Sequence, residues 1–385
     1  MFFTTPTSTL VLNIIRSLCY NYPMKVNENI LISSLTTMRL GGPARYVIEI
    51  EQPSDIPDAY GFANQYHLPT FAMGYGANTI GHDKGFNGVI IINRMRGISE
   101  IDASLADNAP GKYPPLNHSE MEEEAQQDPP RGTLIKIMGG EYWDDVVAYA
   151  CERCLTGIEA MSKIPGLASA APVQNIGAYG QDISDTFVEA EAYDSITNTF
   201  VTLSKADLQF SYRKSILNTT AKNRFFIISI TLALQPGTMP RPFYNSIEKY
   251  IADNDVTDFS PQSIRNIVIN LRADKLPDPL KIASSGSFFH NVYLDEAAAE
   301  IATSKGYPVH YGKDGHKINS GWLIEQCGLK GKLLHGIRVS DKAALVLINE
   351  SATSYNDLAK ARAEITGKVY DHFGYWLEQE PVEIQ

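Results

Sequence analysis

A glycine- and alanine-rich segment in the middle of the chain limits what this protein can fold into more than any other feature. The segment reads IPGLASAAPVQNIGAYG and runs from Ile164 to Gly180. Small side chains let the backbone approach a large, flat ligand and leave N–H groups free to bind phosphate. Gln174 and Asn175 add uncharged amide hydrogen bonds. The segment therefore predicts either a ligand-binding loop or a buried packing turn, and its context along the chain has to decide between them.

The length and charge of the chain limit the classes of protein to which it can belong. A chain of 385 residues is long enough for about two or three domains. Its formal net charge of −11 argues against a nucleic-acid-binding protein, because that class carries a basic surface. We therefore expect small-molecule ligands, whose phosphates would be bound by local cations and backbone N–H groups.

The cysteines and histidines do not follow a redox or metal-binding pattern. Cys151 and Cys154 form a CxxC, but with Val147 and Ala150 they follow the i, i+3, i+4, i+7 spacing of one helix face. Core packing therefore explains the pair better than zinc or disulfide chemistry. Because the sequence contains no second CxxC and no HExxH, we expect no catalytic metal.

Residues 1–23 precede the first stretch with a recognisable motif, and we expect them to be an N-terminal extension. Their longest apolar run, Leu10–Ile15, is interrupted by Asn13 and is shorter than the ~20 residues of a membrane span. The absence of a basic region before that run argues against a signal peptide. We therefore expect a cytoplasmic protein that does not bind a membrane.

The rest of the chain alternates strand and helix patterns. Apolar runs predict strands at 46–50, 89–93, 133–138 and 344–348, and helical spacing predicts helices at about 53–66, 262–273, 295–305 and 355–370. Ser54 is the expected N-cap of the first of these helices. A proline-rich, acidic stretch at 104–132 predicts a solvated loop, and the proline-rich stretch at 236–242 predicts a domain boundary.

Seven further motifs accompany the central segment in order along the chain. They are GYGANTIGHDKGFNGVIIIN (74–93) before it, and FSYRKSI (210–216), KLPDP (275–279), GSFFHN (286–291), GWLIEQCGLKG (321–331), ALVLINE (344–350) and WLEQE (376–380) after it. From about Leu35 to Glu380, the chain resembles the UDP-N-acetylmuramate dehydrogenase family, also called UDP-N-acetylenolpyruvoylglucosamine reductase. Each motif alone is weak, but eight motifs in this order leave little room for coincidence.

The resemblance implies an α+β fold with two parts. Residues 24–235 would form an FAD-binding domain of the vanillyl-alcohol-oxidase type, built from two α+β subdomains, and residues 236–385 would form an α+β substrate-binding domain. The resemblance also implies that NADPH reduces FAD and that hydride then passes to C3 of the enolpyruvyl group of UDP-N-acetylglucosamine enolpyruvate, in peptidoglycan precursor synthesis. The expected partner is thus a small UDP-sugar, and we expect a monomer.

Three residues would carry this chemistry. Arg213, in YRKSI, aligns with the arginine that polarises the substrate carboxylate, a group that a guanidinium binds bidentately. Ser287, in GSFF, aligns with the serine that protonates C2. Glu380 aligns with the catalytic glutamate because the family motif uses the second member of its Glu-x-Glu pair. Strand parity alone does not separate Glu380 from Glu378, since both would lie on one face.

The resemblance assigns binding residues to the same motifs. Those expected to bind the cofactor are Gly74, Tyr75, Gly76, Ala77, Asn78, Thr79, Ile164, Pro165, Gly166, Gln174, Asn175, Gly177, Ala178, Tyr179 and Gly180. Those expected to bind the substrate are Lys275, as the cation for its phosphates, and the polar residues Tyr244, Asn291 and Tyr311.

The chain departs from the family pattern in three places. Ala77 stands where the glycine loop usually carries serine, and the stretch 167–171 lacks the usual glycine pair. After Ser287, the usual Lys-Asn-Pro is replaced by His290, Asn291 and Val292. The last departure removes a cation near the substrate and concerns substrate affinity rather than the chemical step.

Two other functions remain as alternatives. A flavin oxidase of the same superfamily would react rapidly with oxygen and often attaches its flavin to a histidine, and here only His82 lies close to a flavin motif. A catalytically silent nucleotide-sugar-binding protein would lack Arg213, Ser287 or Glu380, all of which are present.

Overall fold

The computed structural model describes residues 24–101, 132–312 and 315–385. The predicted extension 1–23 and, apart from Gly132, the predicted acidic loop 104–132 lie outside the described residues. The described chain mixes helices and strands throughout, which confirms the predicted α+β fold class. Within these ranges, no helix has the length and apolar character that crossing a membrane requires.

The first part of the chain forms a small, mostly parallel sheet covered by one helix. The strands in this part of the chain are β1 (Val26–Leu31), β2 (Pro43–Ile50), β3 (Thr70–Met73), β4 (Thr79–Gly81) and β5 (Phe86–Asn93), of which β4 lies outside the sheet, and the helix is α1 (Asp55–Gln65). The sheet order is β1-β2-β5-β3, with only β1 antiparallel to its neighbour. The apolar run Val89–Ile92 is buried because both faces of the sheet are covered, as is typical of parallel strands.

Ser54 lies at the predicted N-cap position of this first helix but does not cap it through its side chain. Instead, the Asp55 carboxylate accepts hydrogen bonds from the backbone N–H groups of Glu51 and Gln52, each at 3.2 Å. The aspartate therefore holds the turn that leads into the helix, and it does not cap the free N–H groups of the first helical turn.

The second part is a six-stranded antiparallel sheet accompanied by one longer and two short helices. The strands are β6 (Ile98–Ile101), β7 (Thr133–Met138), β8 (Leu155–Thr156), β9 (Gly177–Ala178), β10 (Gln181–Asp182), β11 (Phe187–Asp194), β12 (Thr199–Ser204) and β13 (Phe225–Pro236), of which β9 and β10 form a separate hairpin. The helices are α2 (Trp143–Glu152), α3 (Ile183–Thr186) and α4 (Lys205–Leu208). The long strand β13 lies at the centre and pairs with β11, β7 and β8.

The structure corrects one part of the interpretation of the CxxC pair. Val147, Ala150 and Cys151 are buried against the second sheet, as the helical spacing predicts. Cys154 is exposed, because α2 ends at Glu152 and Cys154 lies beyond it with a left-handed φ of 55°. The helical spacing therefore held for three of the four positions and failed where the helix stops.

Two helices that follow β13 pack against this second part. They are α5 (Asn245–Asp253) and α6 (Pro261–Lys275). Helix α6 begins with Ser260, whose hydroxyl accepts from the N–H of Ser263, and with Pro261 in the first turn, where a missing N–H costs nothing. Arg265 on α6 donates to both oxygens of Asp144 on α2, at 2.6 and 3.0 Å. The domain boundary expected near 236 stays a prediction.

Removal of the Asp144 carboxylate should destabilise the protein strongly. Burial alone would raise the pKa of Asp144, but hydrogen bonds from Arg265 and Lys163 hold it well below its usual range. The Arg265 side chain is only 9% exposed, so Asp144→Ala would leave a buried cation without its partner. We expect a loss of about 3–5 kcal/mol in the free energy of unfolding, measured by urea denaturation. Asp145→Ala, an exposed neighbour in the same helical turn, is the matched control and should cost less than about 1 kcal/mol.

The last part of the chain builds two small sheets around a shared core. The strands are β14 (Ser284–Ser287), β15 (Val292–Leu294), β16 (Val309–Gly312), β17 (Gly315–Ile318), β18 (Leu333–Leu334), β19 (Ile337–Val339), β20 (Val346–Asn349) and β21 (Val382–Ile384). The helices are α7 (Glu296–Ser304), α8 (Ser320–Gln326) and α9 (Tyr355–Phe373).

This last core includes residues from the beginning of the chain. Met38, Leu40 and Ile80 are buried in the same cluster as Phe288 and Leu377. The C-terminal strand β21 pairs in parallel with β4, so the end of the chain returns to the first glycine loop. The C-terminal strand therefore joins the first part of the chain, and the segment just before β21 is held next to that loop.

Candidate functional site

A cleft lies where the glycine loops, the end of α6, strand β14 and the C-terminal segment meet. It consists of two adjoining cavities with volumes of about 320 and 220 Å³. Both cavities are lined by Ala77, Pro165, Arg272, Leu276 and Gly286, so they are two chambers of one space. We call the larger one the first chamber and the smaller one the second chamber. Arg213, Ser287 and Glu380 all line the second chamber.

Arg213 is held in a tight turn whose backbone is closed by two hydrogen bonds between Ser211 and Lys214. Its own φ is 53°, in the left-handed region that most side chains avoid. The guanidinium donates to the carbonyl oxygens of Asn175 and Gly177 and to the Asp182 carboxylate, at 3.0, 2.6 and 2.9 Å. Arg213 therefore fastens the central glycine segment and also brings a permanent positive charge to the second chamber.

Ser287 is the last residue of β14, opposite Val346 of β20. The register of the two strands shifts between Ser284 and Ser287, and Gly286 has a φ of 68°, which favours glycine. This irregularity places both Ser285 and Ser287 on the lining of the second chamber. The Ser285 hydroxyl is buried and has no hydrogen-bond partner among the described residues.

Glu380 reaches the second chamber from the C-terminal segment, which pairs with the residues after Ser287. Its N–H donates to the carbonyl of Phe288 at 2.9 Å, and its carbonyl accepts from the Asn78 amide at 3.5 Å. Burial raises the pKa of Glu380 to about 7, and the charge of Arg213 acts in the opposite direction. Glu378 is exposed and does not line either chamber. Of the two glutamates that strand parity left equivalent, the structure places Glu380 in the cleft.

A charged cluster fixes the segment that carries Glu380. Arg362 of α9 donates to both Gln379 and Glu383, each at 2.5 Å. Glu383 also accepts from the Tyr355 hydroxyl and contacts His82, both at 2.8 Å. Burial would raise the pKa of Glu383, but these hydrogen bonds lower it to about 2. The cluster thus ties Gln379 and Glu383, which lie on either side of Glu380, to α9 and to the residue after β4.

The two glycine segments are joined to each other across the cleft. The Asn78 amide donates to the Gln174 side-chain oxygen at 2.7 Å, and both residues line the second chamber. Gly76 has a φ of 72°, and a Cβ there would lie 2.0 Å from the Leu35 carbonyl oxygen. A Cβ on Gly177 would lie 1.7 Å from the Asp182 carboxylate. These close approaches explain why both positions require glycine, whichever ligand the loops bind.

The structure brings many, but not all, of the predicted site residues to the cleft. Those that line it are Ala77, Asn78, Ile164, Pro165, Gln174, Gly177, Arg213, Ser287, Asn291 and Glu380. Those that do not are Gly74, Tyr75, Gly76, Thr79, Gly166, Asn175, Ala178, Tyr179, Gly180, Tyr244, Lys275 and Tyr311.

Several residues away from the lining have identifiable structural contacts. The Asn175 amide donates to the carbonyl of Ser211 and accepts from the N–H of Ser184, so it braces the turn that carries Arg213. The half-exposed ring of Tyr244 packs edge-on against Tyr179, with ring centroids 5.8 Å apart. Tyr311 is exposed, and its hydroxyl bonds Thr303 at 2.8 Å.

Sequence reasoning missed Arg272. It lies one helical turn before Lys275 on α6 and lines both chambers, whereas Lys275 is exposed at the end of the helix. One Arg272 nitrogen donates to the Lys163 carbonyl at 3.1 Å, while its Nε is buried without a partner among the described residues. Burial lowers the pKa of Arg272. The signal available in the sequence was a second cation, Arg272, one helical turn before Lys275 on the same helix. In the structure this cation is largely buried, and an anionic ligand would compensate its charge.

The chemical groups in the cleft suit an anionic, nucleotide-like ligand. Arg213 and Arg272 supply positive charge, and the loop segments supply amides and close backbone approach. Among residues 24–101, 132–312 and 315–385, no group of three or more His, Cys, Asp or Glu side chains is placed to hold a metal ion. The cleft can therefore hold and polarise an anion with the side chains already described.

Comparisons with known proteins agree with one another. Residues 278–384 match the family model of the UDP-N-acetylenolpyruvoylglucosamine reductase C-terminal domain. The chain is 33% identical over 351 residues to a UDP-N-acetylenolpyruvoylglucosamine reductase from Ralstonia nicotianae, covering 90% of this chain and 96% of the relative. It is 37% identical over 252 residues to the enzyme of the same name from Neisseria gonorrhoeae, covering 64% and 73%.

A solved structure shows the same fold. The crystal structure of UDP-N-acetylenolpyruvylglucosamine reductase from Thermus caldophilus superposes with a TM-score of 0.61, covering 94% of this chain and 100% of the other. The two sequences are 18% identical over this match, so the superposition supports a shared fold and nothing beyond it.

Proposed function

Because this chain belongs to the UDP-N-acetylenolpyruvoylglucosamine reductase family, we propose that it is an NADPH-dependent flavoenzyme that reduces UDP-N-acetylglucosamine enolpyruvate to UDP-N-acetylmuramate. The product is a precursor of peptidoglycan. The observation that carries the proposal is the convergence of Arg213, Ser287 and Glu380 on one chamber. These residues come from three distant motifs, and the fold brings them to one chamber.

Each of the three residues has a role that its surroundings support. The Arg213 guanidinium binds the substrate carboxylate and stabilises the charge that grows there as hydride arrives at C3. The Ser287 hydroxyl gives its proton to C2, which is basic once the charge has developed. Glu380 has a pKa of about 7 and can therefore carry or lack a proton at neutral pH. We assign it the role of keeping the proton donor aligned during the reaction.

The residues of the cleft fit a flavin dinucleotide. When bound, FAD accepts hydride from NADPH and delivers it to the substrate. The glycine segments at 74–79 and 164–180 offer close backbone approach, and Arg272 has a buried nitrogen without an acceptor in the part of the chain that the structure describes. We assign residues 24–235 to flavin binding and 236–385 to substrate binding. Tyr244, Lys275, Asn291 and Tyr311 remain the proposed substrate contacts.

The proposal is tested by the spectrum and turnover of purified protein. The protein should be yellow, and acid precipitation should release free FAD, because the glycine segments contain no evident attachment residue. NADPH oxidation should accelerate when UDP-N-acetylglucosamine enolpyruvate is added, with UDP-N-acetylmuramate as the product. The proposal would be contradicted by colourless protein that does not take up FAD. It would also be contradicted by a rate of NADPH oxidation that does not change when the nucleotide sugar is added. Rapid reoxidation of the reduced protein by oxygen alone would favour the flavin oxidase.

The cation that binds the substrate phosphates can be identified by a pair of substitutions. Lys275→Ala should raise KM by about tenfold and leave kcat nearly unchanged, because a point charge on a diphosphate contributes equally to ground and transition states. Arg272→Ala is the matched comparison, one helical turn away. If Lys275→Ala leaves KM unchanged while Arg272→Ala raises it, the phosphate cation is Arg272. Loss of bound FAD in Arg272→Ala instead assigns Arg272 to the flavin.

We also propose that the protein works as a cytoplasmic monomer. The substrate is a soluble nucleotide sugar, and the three proposed catalytic residues all come from one chain. Size-exclusion chromatography with light scattering should give a mass near 42.6 kDa. A mass of twice that value would overturn the monomer.

A further inference from the structure

His290 faces Glu380 across the second chamber. The distance from His290 Nδ1 to Glu380 Oε2 is 3.8 Å. Their backbones are held together, because the His290 N–H donates to the Glu378 carbonyl and the Glu380 N–H donates to the Phe288 carbonyl, each at 2.9 Å. The hydroxyl of Ser320 donates to the His290 carbonyl from the other side. The two backbone segments that carry the imidazole and the carboxylate are therefore held next to each other by hydrogen bonds.

The charged groups around His290 come from two segments. The C-terminal segment contributes Glu378 and Glu380, and the turn at 211–214 contributes Arg213 and Lys214. Burial lowers the pKa of His290, Glu378 raises it, and the two cations lower it further. Burial also raises the pKa of Glu380 to about 7. The two groups lie 3.8 Å apart and both line the second chamber, so a proton gained by one changes the electrostatic surroundings of the other.

We propose that His290 is a positioning residue that returns a proton from solvent to Glu380 and so sets the charge of Glu380 during turnover. This inference rests on the proposed function. Each turnover consumes one proton, which the site regains from water. In the step, the imidazolium Nδ1–H bond breaks, a carboxylate O–H bond forms at Glu380, and a hydronium ion from the solvent reprotonates the ring and becomes water. No electrons are transferred.

The geometry permits this exchange. His290 is the more exposed member of the pair, with 30% of its side chain accessible against 17% for Glu380. A separation of 3.8 Å exceeds a hydrogen bond, so the transfer requires a small ring rotation or one bridging water. The family motif carries lysine at this position, and a lysine with an ordinary pKa near 10.4 stays charged at neutral pH. Histidine instead makes the charge opposite Glu380 dependent on pH.

The first test compares pH profiles of the reaction between the reduced enzyme and the enolpyruvyl substrate, over roughly pH 5.5–9. The wild type should show two ionisations, and His290→Gln only one, with a rate at pH 7 reduced about tenfold. His290→Lys should move the Glu380 ionisation to lower pH, because a fixed cation favours the carboxylate. Reduction of the enzyme by NADPH should be unchanged in both variants. His335→Gln removes a histidine that pairs with Glu364 at 3.4 Å on the surface, and its profile should match the wild type.

The second test does not depend on turnover. The His290 pKa is measured by NMR of histidine-labelled protein, in the wild type and in Glu380→Gln. Loss of the carboxylate charge should lower the His290 pKa by about 1 unit, whereas Glu364→Gln should affect His335 and leave His290 unchanged.

The outcomes separate the two proposals. If the protein lacks reductase activity but the pKa of His290 falls in Glu380→Gln, the proposed function fails and the coupling of the pair stands. If the protein is an active reductase but His290→Gln has the wild-type pH profile, the proton-return role of His290 is overturned. An unchanged His290 pKa in Glu380→Gln overturns it as well.

Discussion

Replacing Ser287 by alanine is expected to slow the reaction of the reduced enzyme with the enolpyruvyl substrate by about 10²–10⁴-fold, the usual contribution of a positioned general acid. This range corresponds to a barrier increase of about 3–5 kcal/mol. Reduction of the enzyme by NADPH should be nearly normal, because that half-reaction precedes any use of the serine. Stopped-flow absorbance of the flavin measures the two half-reactions separately.

Two further substitutions make the result specific to the Ser287 hydroxyl. Ser287→Cys should restore part of the rate, because a thiol delivers a proton from the same place. Ser285→Ala is the matched control, since Ser285 lies on the same strand and lines the same chamber. If Ser285→Ala shows the large loss and Ser287→Ala does not, Ser285 is the proton donor. Wild-type turnover in Ser287→Ala, with unchanged stereochemistry at C2, would leave Ser287 as a strand-end residue only.

Replacing Arg213 by alanine is expected to slow the same half-reaction by about 10²–10³-fold and to raise KM, because the substrate carboxylate loses its cation in both the ground and the transition state. Arg213→Lys should recover only part of the rate, since an ammonium does not bind a carboxylate bidentately. The measurement is again single-turnover oxidation of the reduced enzyme across a range of substrate concentrations.

The structural contacts of Arg213 require a separate control. Its guanidinium also holds the carbonyls of Asn175 and Gly177 and pairs with Asp182. Asp182→Asn removes the charge of this partner but leaves the guanidinium in place. If Asp182→Asn loses as much activity as Arg213→Ala, the arginine acts by holding the glycine segment. Retained activity in Asp182→Asn shows that the ion pair with Asp182 is not what the reaction requires of Arg213.

Much of the fold could be predicted from local patterns. The strand at 133–138 was predicted with the bounds that the structure shows, and α1, α6, α7 and α9 occur where helical spacing placed them, within a few residues. Patterns of this kind succeed because burial on one face imposes a period of 2 or 3.6 on neighbouring residues. They failed at the end of α2, as Cys154 shows, because an end depends on which backbone groups find partners nearby.

The site was predictable only as a set of segments. Motif order identified the segments of Arg213, Ser287 and Glu380, but no spacing rule separated Glu380 from Glu378 or selected Arg272 over Lys275. Those choices depend on which side of a strand or helix is covered by a distant part of the chain. The approach of His290 to Glu380 likewise arises from the pairing of residues 288–290 with 378–380.

The sequence by itself determined the family, the mixed α+β class and the segments that carry the chemistry, because these properties reside in the identity and order of residues. Tertiary structure alone decided which members of those segments share a chamber and how charge is distributed in it. Asn78 contacts the carbonyl of Glu380 across 302 positions of chain. The pKa of Glu380 is raised by burial among segments from both ends of the protein. Burial and long-range pairing exist only after the chain has folded. Local sequence patterns therefore do not predict which distant residues meet or how burial shifts their pKa values.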